Sequence, residues 1–546
     1  MKKKSLPVFF VGLLMCGCQM KEVINEYNVV PLPVTMSEQQ GRFYLNSDVP
    51  IVVNASQEVK HIASGLSTTL LDIAGLKLKP TDELHENVPS IVFDSIPGME
   101  KEAYKLSVTP QLIKITASAP NGFYYGLQTL YQLLPVDVYC KERARNAEWS
   151  VPCVEIEDAP TFRYRGAMLD VCRHFASIDY IKKFIDVLAA HKMNTFHWHL
   201  TEDQGWRMEV PGYPRLATVA ARRACDRLGW KDQQPDSTEY GGYYTDDQMR
   251  DIVAYAAERC IEIIPEIDIP GHSQAAVAAY PEILACDPEN PHEVWRRMGV
   301  SDDVINVANP AAVKFAKDVI DHAIDIFPYG YLHLGGDECP TEKWESNPQC
   351  TALLDSIGST NYRDLQLNFY RELQRHIDAK PARDRRRLIF WNEVLHGNTS
   401  MLDTSIVIMA WVGADKAARE AAEKGLSTIL TPQIPYYINR KQSADPSEPL
   451  SQGTGTETLE RVYSYVPMAD VPDSLAGRYM GVQANFWSEY VSTPEFLEYL
   501  MMPRLAAVAE AAWTPQAERD YPSFVTRLRQ LLPLYDRMGW NYCRKF

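Results

Sequence analysis

Eight short apolar runs, most of them separated by amphipathic helical stretches, set the strongest limit on how this chain can fold. Strand-like runs that alternate with helices predict parallel strands joined by helical crossovers. A doubly wound open sheet and a closed (β/α)8 barrel both fit such a pattern, and eight successive units favour the barrel. The runs span residues 164–171, 194–200, 261–267, 331–335, 388–391, 406–411, 427–430 and 481–486.

The chain before the first of these runs has a different character. Short strand patterns and two helical stretches within residues 19–158 predict a small α/β domain, and Asp158-Ala159-Pro160 marks a joint. We therefore expect an α/β protein with a (β/α)8 TIM barrel over residues 159–515, preceded by the small domain. Residues 516–546 are predicted to form a helical segment that packs on the barrel.

The amino terminus carries an export pattern. Lys2, Lys3 and Lys4 precede an apolar stretch that is too short to span a bilayer, and Met15-Cys16-Gly17-Cys18 follows it. This pattern resembles a bacterial lipoprotein signal, which predicts a signal peptide over residues 1–18 and lipidation of Cys18. An ordinary secretory signal is the alternative. We expect an exported protein, attached to the bacterial cell envelope only through this lipid, on its periplasmic or its surface side.

Charge and cysteine content exclude several classes of protein. The chain has 55 Lys and Arg against 71 Asp and Glu, a formal net charge of −16, which argues against a nucleic-acid partner. Of its 11 cysteines, two lie in the signal region, and no pair has the C-x-x-C spacing of a zinc ribbon. We expect neither a cofactor nor a metal, and the sequence does not decide the oligomeric state.

Polar and aromatic residues recur where the predicted strands end. In a (β/α)8 barrel the chemistry lies at the carboxyl ends of the strands, so this recurrence predicts an active site there. The fourth run ends in His333-Leu334-Gly335-Gly336-Asp337-Glu338, in which two glycines precede two carboxylates. Adjacent residues at a strand end are expected to point in different directions, so this pair cannot flank one bond as an ordinary pair of hydrolase carboxylates does.

Several longer motifs carry a resemblance to a known family. Five motifs resemble those of the family 20 glycoside hydrolases, the β-N-acetylhexosaminidases, and follow in the family's order along the chain. They are residues 169–174, 196–207, 267–272, 333–338, which resemble the catalytic signature, and 487–489. The resemblance implies an exo-acting enzyme that releases terminal, non-reducing, β-linked N-acetylglucosamine or N-acetylgalactosamine from glycans. It also implies net retention through an oxazolinium intermediate, in which the substrate's own acetamido group is the nucleophile.

The resemblance further implies a role for each motif residue. Glu338 would be the general acid and then the base, while Asp337 would orient and stabilise the acetamido group. Tyr437 would donate a hydrogen bond to the acetamido oxygen, and His272 with Glu202 would form a relay that supports Glu338. The substrate-binding residues implied are Arg173, Asp203, Trp391, Trp411, Asn439, Trp487 and Glu489.

Two other functions are open at this point. His197-Trp198-His199 imitates a metal-binding pair, with His272 and Asp337 as further ligands of a metal-dependent barrel hydrolase. A non-catalytic carbohydrate-binding lipoprotein is the second alternative, which the presence of Asp337, Glu338 and Tyr437 disfavours. The sequence does not resolve the natural glycan or the preferred hexosamine.

Overall fold

A computed structural model describes most of the chain. It covers residues 27–81, 83, 87–145, 147–225, 228–229, 238–453, 455–491 and 493–546. The predicted signal peptide and Cys18 lie outside these residues. Within the described ranges, no helix is both long enough and apolar enough to cross a membrane.

The first domain is a mixed seven-stranded sheet that carries two helices on one face. The strand order is β1-β7-β5-β6-β4-β2-β3, and helices α1 and α2 pack against β2, β5 and β6. Its strands are β1 (Thr35–Tyr44), β2 (Pro50–Asn54), β3 (Lys79–Thr81), β4 (Ser90–Ser95), β5 (Tyr104–Val108), β6 (Leu112–Ala117) and β7 (Ser150–Asp158), and its helices are α1 (Gln57–Thr69) and α2 (Pro120–Leu133).

Eight parallel strands close into a barrel, which confirms the predicted fold class. The last strand pairs with the first, since Gly481 is in register with Tyr164 and Phe486 with Leu169. In chain order the strands after the first domain are β8 (Tyr164–Asp170), β9 (Thr195–His199), the short β10 (Thr201–Glu202), β11 (Gly205–Trp206), β12 (Arg222–Arg223) and β13 (Tyr240–Gly241), then β14 (Glu262–Glu266), β15 (Tyr331–His333), β16 (Arg387–Trp391), β17 (Val407–Ala410), β18 (Ser427–Leu430) and β19 (Tyr479–Phe486). Strands β10 to β13 form two hairpins outside the barrel.

Helices connect and surround the barrel strands. The longer ones bury one apolar stripe each, as expected for helices that cover a parallel sheet. They are α3 (Ile178–Ala190), α4 (Asp246–Ala257), α5 (Gln274–Ala279), α6 (Pro281–Leu284), α7 (Pro310–Ile326), α8 (Glu342–Glu345), α9 (Pro348–Ser356), α10 (Arg363–Asp378), α11 (Ala414–Glu423), α12 (Gln433–Tyr436), α13 (Leu459–Ser464), α14 (Asp473–Ala476), α15 (Pro494–Met501), α16 (Arg504–Trp513) and α17 (Tyr521–Met538).

The interior of the barrel is a packed apolar core below the site. Met168, Ile264, Ile389, Val407 and Met409 belong to one buried cluster within the ring of strands. Such packing gives the strands fixed ends, and it is those ends that position polar side chains at the carboxyl edge.

A buried ion pair joins the two domains. Asp158, the last residue of β7, lies 3.1 Å from Lys192 Nζ and accepts hydrogen bonds from Tyr104 and from the indole of Trp513. Because the charge of Asp158 is both paired and hydrogen-bonded, it can remain buried at this junction. The carboxy-terminal helix α17 contacts α13 of the barrel and also the 3-10 turn Val136–Tyr139 of the first domain, so it bridges both.

Candidate active site

The segment after β15 turns sharply, and its glycines make the turn possible. Gly335 and Gly336 have φ angles of 67° and 100°, in the region that glycine adopts without strain. A Cβ atom on Gly335 would lie 1.7 Å from Asp268 Oδ1, so no larger residue fits. Glu338 follows with a φ of 42°, a conformation that costs free energy in a residue with a side chain and that often marks functional sites.

This turn brings both carboxylates to one imidazole. His272 Nε2 lies 3.6 Å from Glu338 Oε2 and 3.7 Å from Asp337 Oδ2. The sequence-based expectation that adjacent side chains diverge holds for a regular strand, but β15 ends at His333 and the positive φ angles redirect the backbone. Asp337 is buried, whereas the Glu338 side chain is 41% exposed and reaches into the open site.

His272 is held from behind by Glu202, the residue predicted to be its relay partner. Its Nδ1 lies 3.1 Å from Glu202 Oε2, and Arg173 contacts the other oxygen of that carboxylate at 2.6 Å. Burial by itself would raise the pKa of Glu202, but Arg173 and His272 hold it far below its usual value. His272 therefore lies between Glu338 and Glu202, and the relay role of the three residues stays a prediction.

The relay continues into the barrel through His199. Its Nε2 lies 3.3 Å from Glu202 Oε1, and its Nδ1 is hydrogen-bonded to Glu266. Burial disfavours a charged imidazole, but Glu266 and Glu202 outweigh it and raise the pKa of His199 to about 10. Charges of opposite sign thus alternate from the site into the core, which allows several ionised groups to be buried together.

Glu266 also accounts for the histidine pair that suggested a metal. Its carboxylate lies 2.9 Å from His197 Nε2 and 3.0 Å from His333 Nδ1, and it accepts a hydrogen bond from the Trp391 indole. Among the described residues, the clusters that could hold a metal never combine His197 or His199 with His272 or Asp337. The donor set that the metal-hydrolase alternative requires is therefore not gathered at one place.

The two adjacent carboxyls have opposite pKa shifts. Burial, reinforced by the neighbouring Glu338 and opposed by His272, raises the pKa of Asp337 to about 6. Burial of Glu338 is smaller, and the nearby His272 outweighs it, so the pKa of Glu338 is lowered. Burial disfavours the imidazolium of His272, but Glu202 and Asp337 outweigh it and hold the pKa of His272 well above its usual value. In the free protein these shifts favour a proton on His272 over one on Glu338.

Aromatic side chains form one wall of the site. The rings of Trp411 and Tyr437 are stacked with centroids 5.8 Å apart, and Trp487 lies 6.1 Å from Tyr437. Glu393 accepts a hydrogen bond from the Trp411 indole at 2.8 Å and so fixes its orientation. Tyr436, the neighbour of Tyr437, instead packs its ring against Tyr465 with centroids 5.0 Å apart.

Two amides and one carboxylate form a hydrogen-bonded chain beside the site. Asn439 donates to Gln452 Oε1 at 2.7 Å, and Gln452 donates to Glu489 Oε1 at 3.2 Å. Burial raises the pKa of Glu489 to about 7 although Arg173 opposes the shift. Gln452 and Gly453, in the loop before α13, line the site. Four further residues from other segments also line it, namely Gly299, Gln433, Arg440 and Tyr490. Sequence reasoning missed all six, because they belong to loops or to the start of the short helix α12, where no periodic pattern gives a signal.

Three predicted substrate-binding residues lie behind the lining. Asp203 is fully buried and accepts backbone N–H bonds from Gln274 and Ser301, at 3.0 and 2.9 Å. Trp391 and Asn439 are buried as well, and none of the three is among the residues that line the cavity. Their predicted contact with substrate stays a prediction, while their observed contacts support the residues that do line the site. The predicted residues that do line it are Arg173, Glu202, His272, Asp337, Glu338, Trp411, Tyr437, Trp487 and Glu489.

These residues enclose a cavity of about 340 Å³, within the usual range for a small-ligand site. Within the described residues, Asp337 Oδ1, Trp487 Nε1 and Glu489 Oε2 are buried without a hydrogen-bond partner. Buried polar atoms are normally paired, so these three indicate a ligand with many hydrogen-bonding groups. A larger cavity of about 790 Å³ lies between α1, α2 and α3, away from the strand carboxyl ends and from this relay.

Comparison with known families agrees with this geometry. Residues 162–516 match the model of the catalytic domain of glycosyl hydrolase family 20, and residues 26–159 match that of domain 2 of the same family. The chain belongs to glycosyl hydrolase family 20. This family 20 chain is a glycoside hydrolase of the β-hexosaminidase type.

Its relatives include characterised hydrolases and solved structures. It is 39% identical over 543 residues to a β-hexosaminidase of Porphyromonas gingivalis, an alignment that covers 97% of this chain and 67% of the relative, about two thirds of its length. It is similar to the exo β-N-acetylglucosaminidase of Vibrio harveyi solved with N-acetylglucosamine, with a TM-score of 0.85, 34% identity and coverage of 95% of this chain and 78% of that one. A mutant Streptomyces plicatus β-hexosaminidase in complex with its product has a TM-score of 0.80 and 30% identity, with coverage of 95% of this chain and 97% of that one.

Proposed function

We propose that this enzyme is an exo-acting β-N-acetylhexosaminidase that works by the retaining, substrate-assisted route. The observation that carries the proposal is the joint approach of Glu338 and Asp337 to His272 at one end of a cavity walled by Trp411, Tyr437 and Trp487. One exposed and one buried carboxyl, side by side, suit a proton donor beside a group that stabilises positive charge. The substrate class is a glycan ending in non-reducing β-linked N-acetylglucosamine or N-acetylgalactosamine.

In the first step the acetamido oxygen of the substrate attacks C1 while the bond to the leaving group breaks. Glu338 gives its proton to the departing oxygen, and Asp337 accepts the acetamido N–H and stabilises the charge of the oxazolinium ion. In the second step water attacks C1, Glu338 takes the proton from that water, and the acetamido group is restored. Two inversions at C1 give net retention.

Substrate binding itself prepares the two carboxyls for these roles. In the free protein Glu338 faces a charged His272, and its pKa is lowered, whereas the pKa of Asp337 is raised to about 6 by burial. A sugar that covers the exposed Glu338 side chain removes water from it and raises its pKa, and an N–H donated to Asp337 lowers the pKa of that group. The first change favours transfer of the His272 proton to Glu338 as the site fills, and the second keeps Asp337 ionised.

The remaining lining suits recognition of a terminal sugar. Arg173 and Glu489 are charged groups that line the cavity and can bind sugar hydroxyls. Glu489 Oε2 has no hydrogen-bond partner within the protein and can accept a hydrogen bond from the sugar. Apolar faces of a pyranose can stack on Trp411 and Trp487. Sugar hydroxyls that Arg173 and Glu489 bind cannot carry a further sugar unit, which supports exo rather than endo cleavage.

Turnover of paired substrates tests the proposal. 4-Nitrophenyl N-acetyl-β-glucosaminide should be hydrolysed, and the matching β-glucoside without the acetamido group should be a poor substrate. On a chito-oligosaccharide, the early products should be the monosaccharide and the chain shortened by one unit. Internal cleavage products would contradict exo action. Loss of activity on chelation would favour the metal alternative, and binding of the glycan without any turnover would favour the non-catalytic one.

We also propose that the enzyme is exported and held to the bacterial cell envelope by lipid on Cys18. Support comes from the Lys-rich start, the short apolar stretch and the Met15-Cys16-Gly17-Cys18 sequence. In cells fed a radiolabelled fatty acid, the enzyme should carry the label, and Cys18→Ser should lose it. An unlabelled wild-type enzyme in the soluble fraction would contradict the anchor.

A further inference from the structure

Two cysteines outside the active site belong to two segments of the chain that pack together. Cys286 follows α6, and Cys350 lies in the first turn of α9. The Cys286 thiol donates to the Val304 carbonyl at 3.9 Å and the Cys350 thiol to Asn306 Oδ1 at 3.4 Å, so both sulfur atoms contact the same stretch, residues 304–306. Both are free thiols.

The spacing of the two backbones does not depend on the thiols. The side chain of Asn347 spans them, since its Nδ2 donates to the Cys286 carbonyl at 2.8 Å and its Oδ1 accepts the Cys350 N–H at 3.2 Å. Lys343, on α8, adds an ion pair of 2.7 Å to Asp287, the residue after Cys286. The two hydrogen bonds of Asn347 and the Lys343–Asp287 ion pair hold the backbones of the two cysteines close together.

A second tie brings the same segments together near the sulfur atoms. Asn306 donates to Gln349 at 3.1 Å, and its Oδ1 accepts the Cys350 thiol at 3.4 Å. The Trp344 indole donates to the Ile305 carbonyl at 2.9 Å. Residues 284–287, 304–306 and 343–350 therefore form one interlocked unit with the thiol pair inside it.

The chain between the two cysteines contains much of the active site. It includes Gly299, which lines the cavity, and Ser301, whose N–H is bound by Asp203. It also includes β15 with the Asp337-Glu338 turn that follows it. A covalent bond from residue 286 to residue 350 would close a loop around all of these.

We propose that Cys286 and Cys350 form a site of intrachain disulfide formation that fastens the loop carrying Gly299 and Ser301 to α9. The oxidant is a low-molecular-weight disulfide of the glutathione class. Cys286 is the partly exposed thiol and Cys350 is buried, so exchange begins at Cys286. Its thiolate attacks the external disulfide, forms a mixed disulfide and releases one thiol; the Cys350 thiolate then attacks the Cys286 sulfur and releases the second.

The exchange conserves atoms and electrons. Two protein thiols are oxidised, two protons are released or passed to the leaving thiolates, and one external disulfide is reduced to two thiols. The export pattern at the amino terminus predicts a compartment in which disulfides persist. This disulfide is independent of the proposed glycosidase mechanism, because peptide mapping and thermal unfolding detect it without any measurement of activity.

Peptide mapping of the full-length protein tests the proposal. The purified protein is incubated with oxidised glutathione, blocked with N-ethylmaleimide and digested without reduction. We expect a peptide pair joined through Cys286 and Cys350, together with two fewer alkylated thiols than in the reduced protein. Two alkylated cysteines at these positions, a stable glutathione adduct on Cys286, or a bond from either to another cysteine would each overturn the proposal.

Thermal unfolding gives a second readout with matched variants. The oxidised protein should unfold roughly 2–4 °C above the reduced one, because the bond constrains a long loop in the unfolded chain. The difference should vanish in Cys286→Ser and in Cys350→Ser, and it should persist in Cys260→Ser, which removes a partly buried thiol elsewhere. A difference that survives in Cys286→Ser would overturn the proposal, and the wild-type peptide map decides it even if a variant fails to fold.

Discussion

His272 Nε2 lies 3.6 Å from Glu338 Oε2, and this short separation places a basic ring directly beside the carboxyl proposed as the general acid. Glu202 on the far side of the ring holds the pKa of His272 well above its usual value, against the effect of burial. In the free enzyme the proton needed for catalysis is therefore stored one group away from Glu338. The pair, rather than Glu338 alone, controls the state of the acid.

The first prediction concerns the acid limb of the pH profile. Asp337 has a pKa raised to about 6, mainly by burial, and it must be ionised to stabilise the oxazolinium ion. Below that pH the protonated form dominates, so kcat/KM should fall about tenfold per pH unit. With an activated aryl leaving group the limb should lie near pH 6 in the wild type. In Asp337→Asn it should be absent, and a limb that remains unchanged would assign it to another group.

The second prediction concerns the alkaline limb. Replacing Glu202 by Gln removes the largest favourable charge on the His272 imidazolium, so the pKa of His272 should fall. The alkaline limb of kcat/KM for a poor leaving group should then move down by about one pH unit or more. Glu202→Asp keeps the charge and is the matched control, with a limb close to that of the wild type. An equal shift in both variants would show that geometry, not charge, governs the limb.

The third prediction links Asp337 to stability. A folded-state pKa of about 6 above an ordinary value of 3.8 means that the folded protein binds this proton more tightly than the unfolded chain. The stability this group contributes is present below pH 4 and is lost as pH rises through 6. Asp337→Asn is neutral at every pH, so it should be more stable than the wild type at pH 7.5, by about 1–3 kcal/mol. The gain should shrink towards zero at pH 4, and denaturant unfolding at the two pH values measures it.

The fourth prediction distinguishes two neighbouring tyrosines. Tyr437 lines the cavity, whereas Tyr436 packs against Tyr465. Tyr437→Phe removes a donor to the acetamido oxygen and should lower kcat by roughly 10–10³-fold with every leaving group. Tyr436→Phe removes the same atom from a residue outside the cavity and should leave kcat within about twofold. Comparable losses in both would contradict the proposed role of Tyr437.

The barrel and most of the site could be predicted from the sequence because both depend on local pattern. Strands β8 and β9 are buried at every position, and residues that follow them, such as Arg173 and Glu202, fall at one edge by the rule of parallel strands. The direction of the Asp337 and Glu338 side chains could not be predicted in this way, because it depends on the positive φ angles of the turn, which no periodic pattern encodes. Nor could Gln452, which reaches the site from a long loop whose course is set by contacts distant in sequence.

The positions of Asp203, Trp391 and Asn439 behind the residues that line the cavity could not be predicted for a similar reason. A motif shows that a residue lies near a strand end, but not whether its side chain faces the cavity or the layer beneath. Asp203 follows Glu202 directly, yet its oxygens bind the backbone of Gln274 and Ser301 while Glu202 faces the cavity. Such a difference arises from the short hairpin of β10 and β11, which tertiary contacts and not hydrophobic periodicity determine.

The last prediction separates the adjacent carboxyls by the chemistry each performs. Glu338→Gln removes the proton donor and leaves the acetamido nucleophile in place. Its loss of kcat/KM should be roughly 10²–10⁴-fold larger for a poor leaving group than for an activated aryl group that departs without protonation. Asp337→Asn removes the charge beside the forming oxazolinium ion, which every substrate shares, so its loss should be nearly the same for all leaving groups.

Steady-state kinetics on a series of aryl N-acetyl-β-glucosaminides of graded leaving-group pKa measures both effects as slopes. The slope should become steep in Glu338→Gln and should remain that of the wild type in Asp337→Asn. Glu393→Gln, which changes the carboxyl that holds the Trp411 indole, is the matched control and should leave the slope unaltered. A steep slope in Asp337→Asn alone would reverse the two roles. A sugar trapped covalently on either carboxylate would exclude the substrate-assisted route, because there the only bond formed to C1 before water attacks comes from the acetamido oxygen.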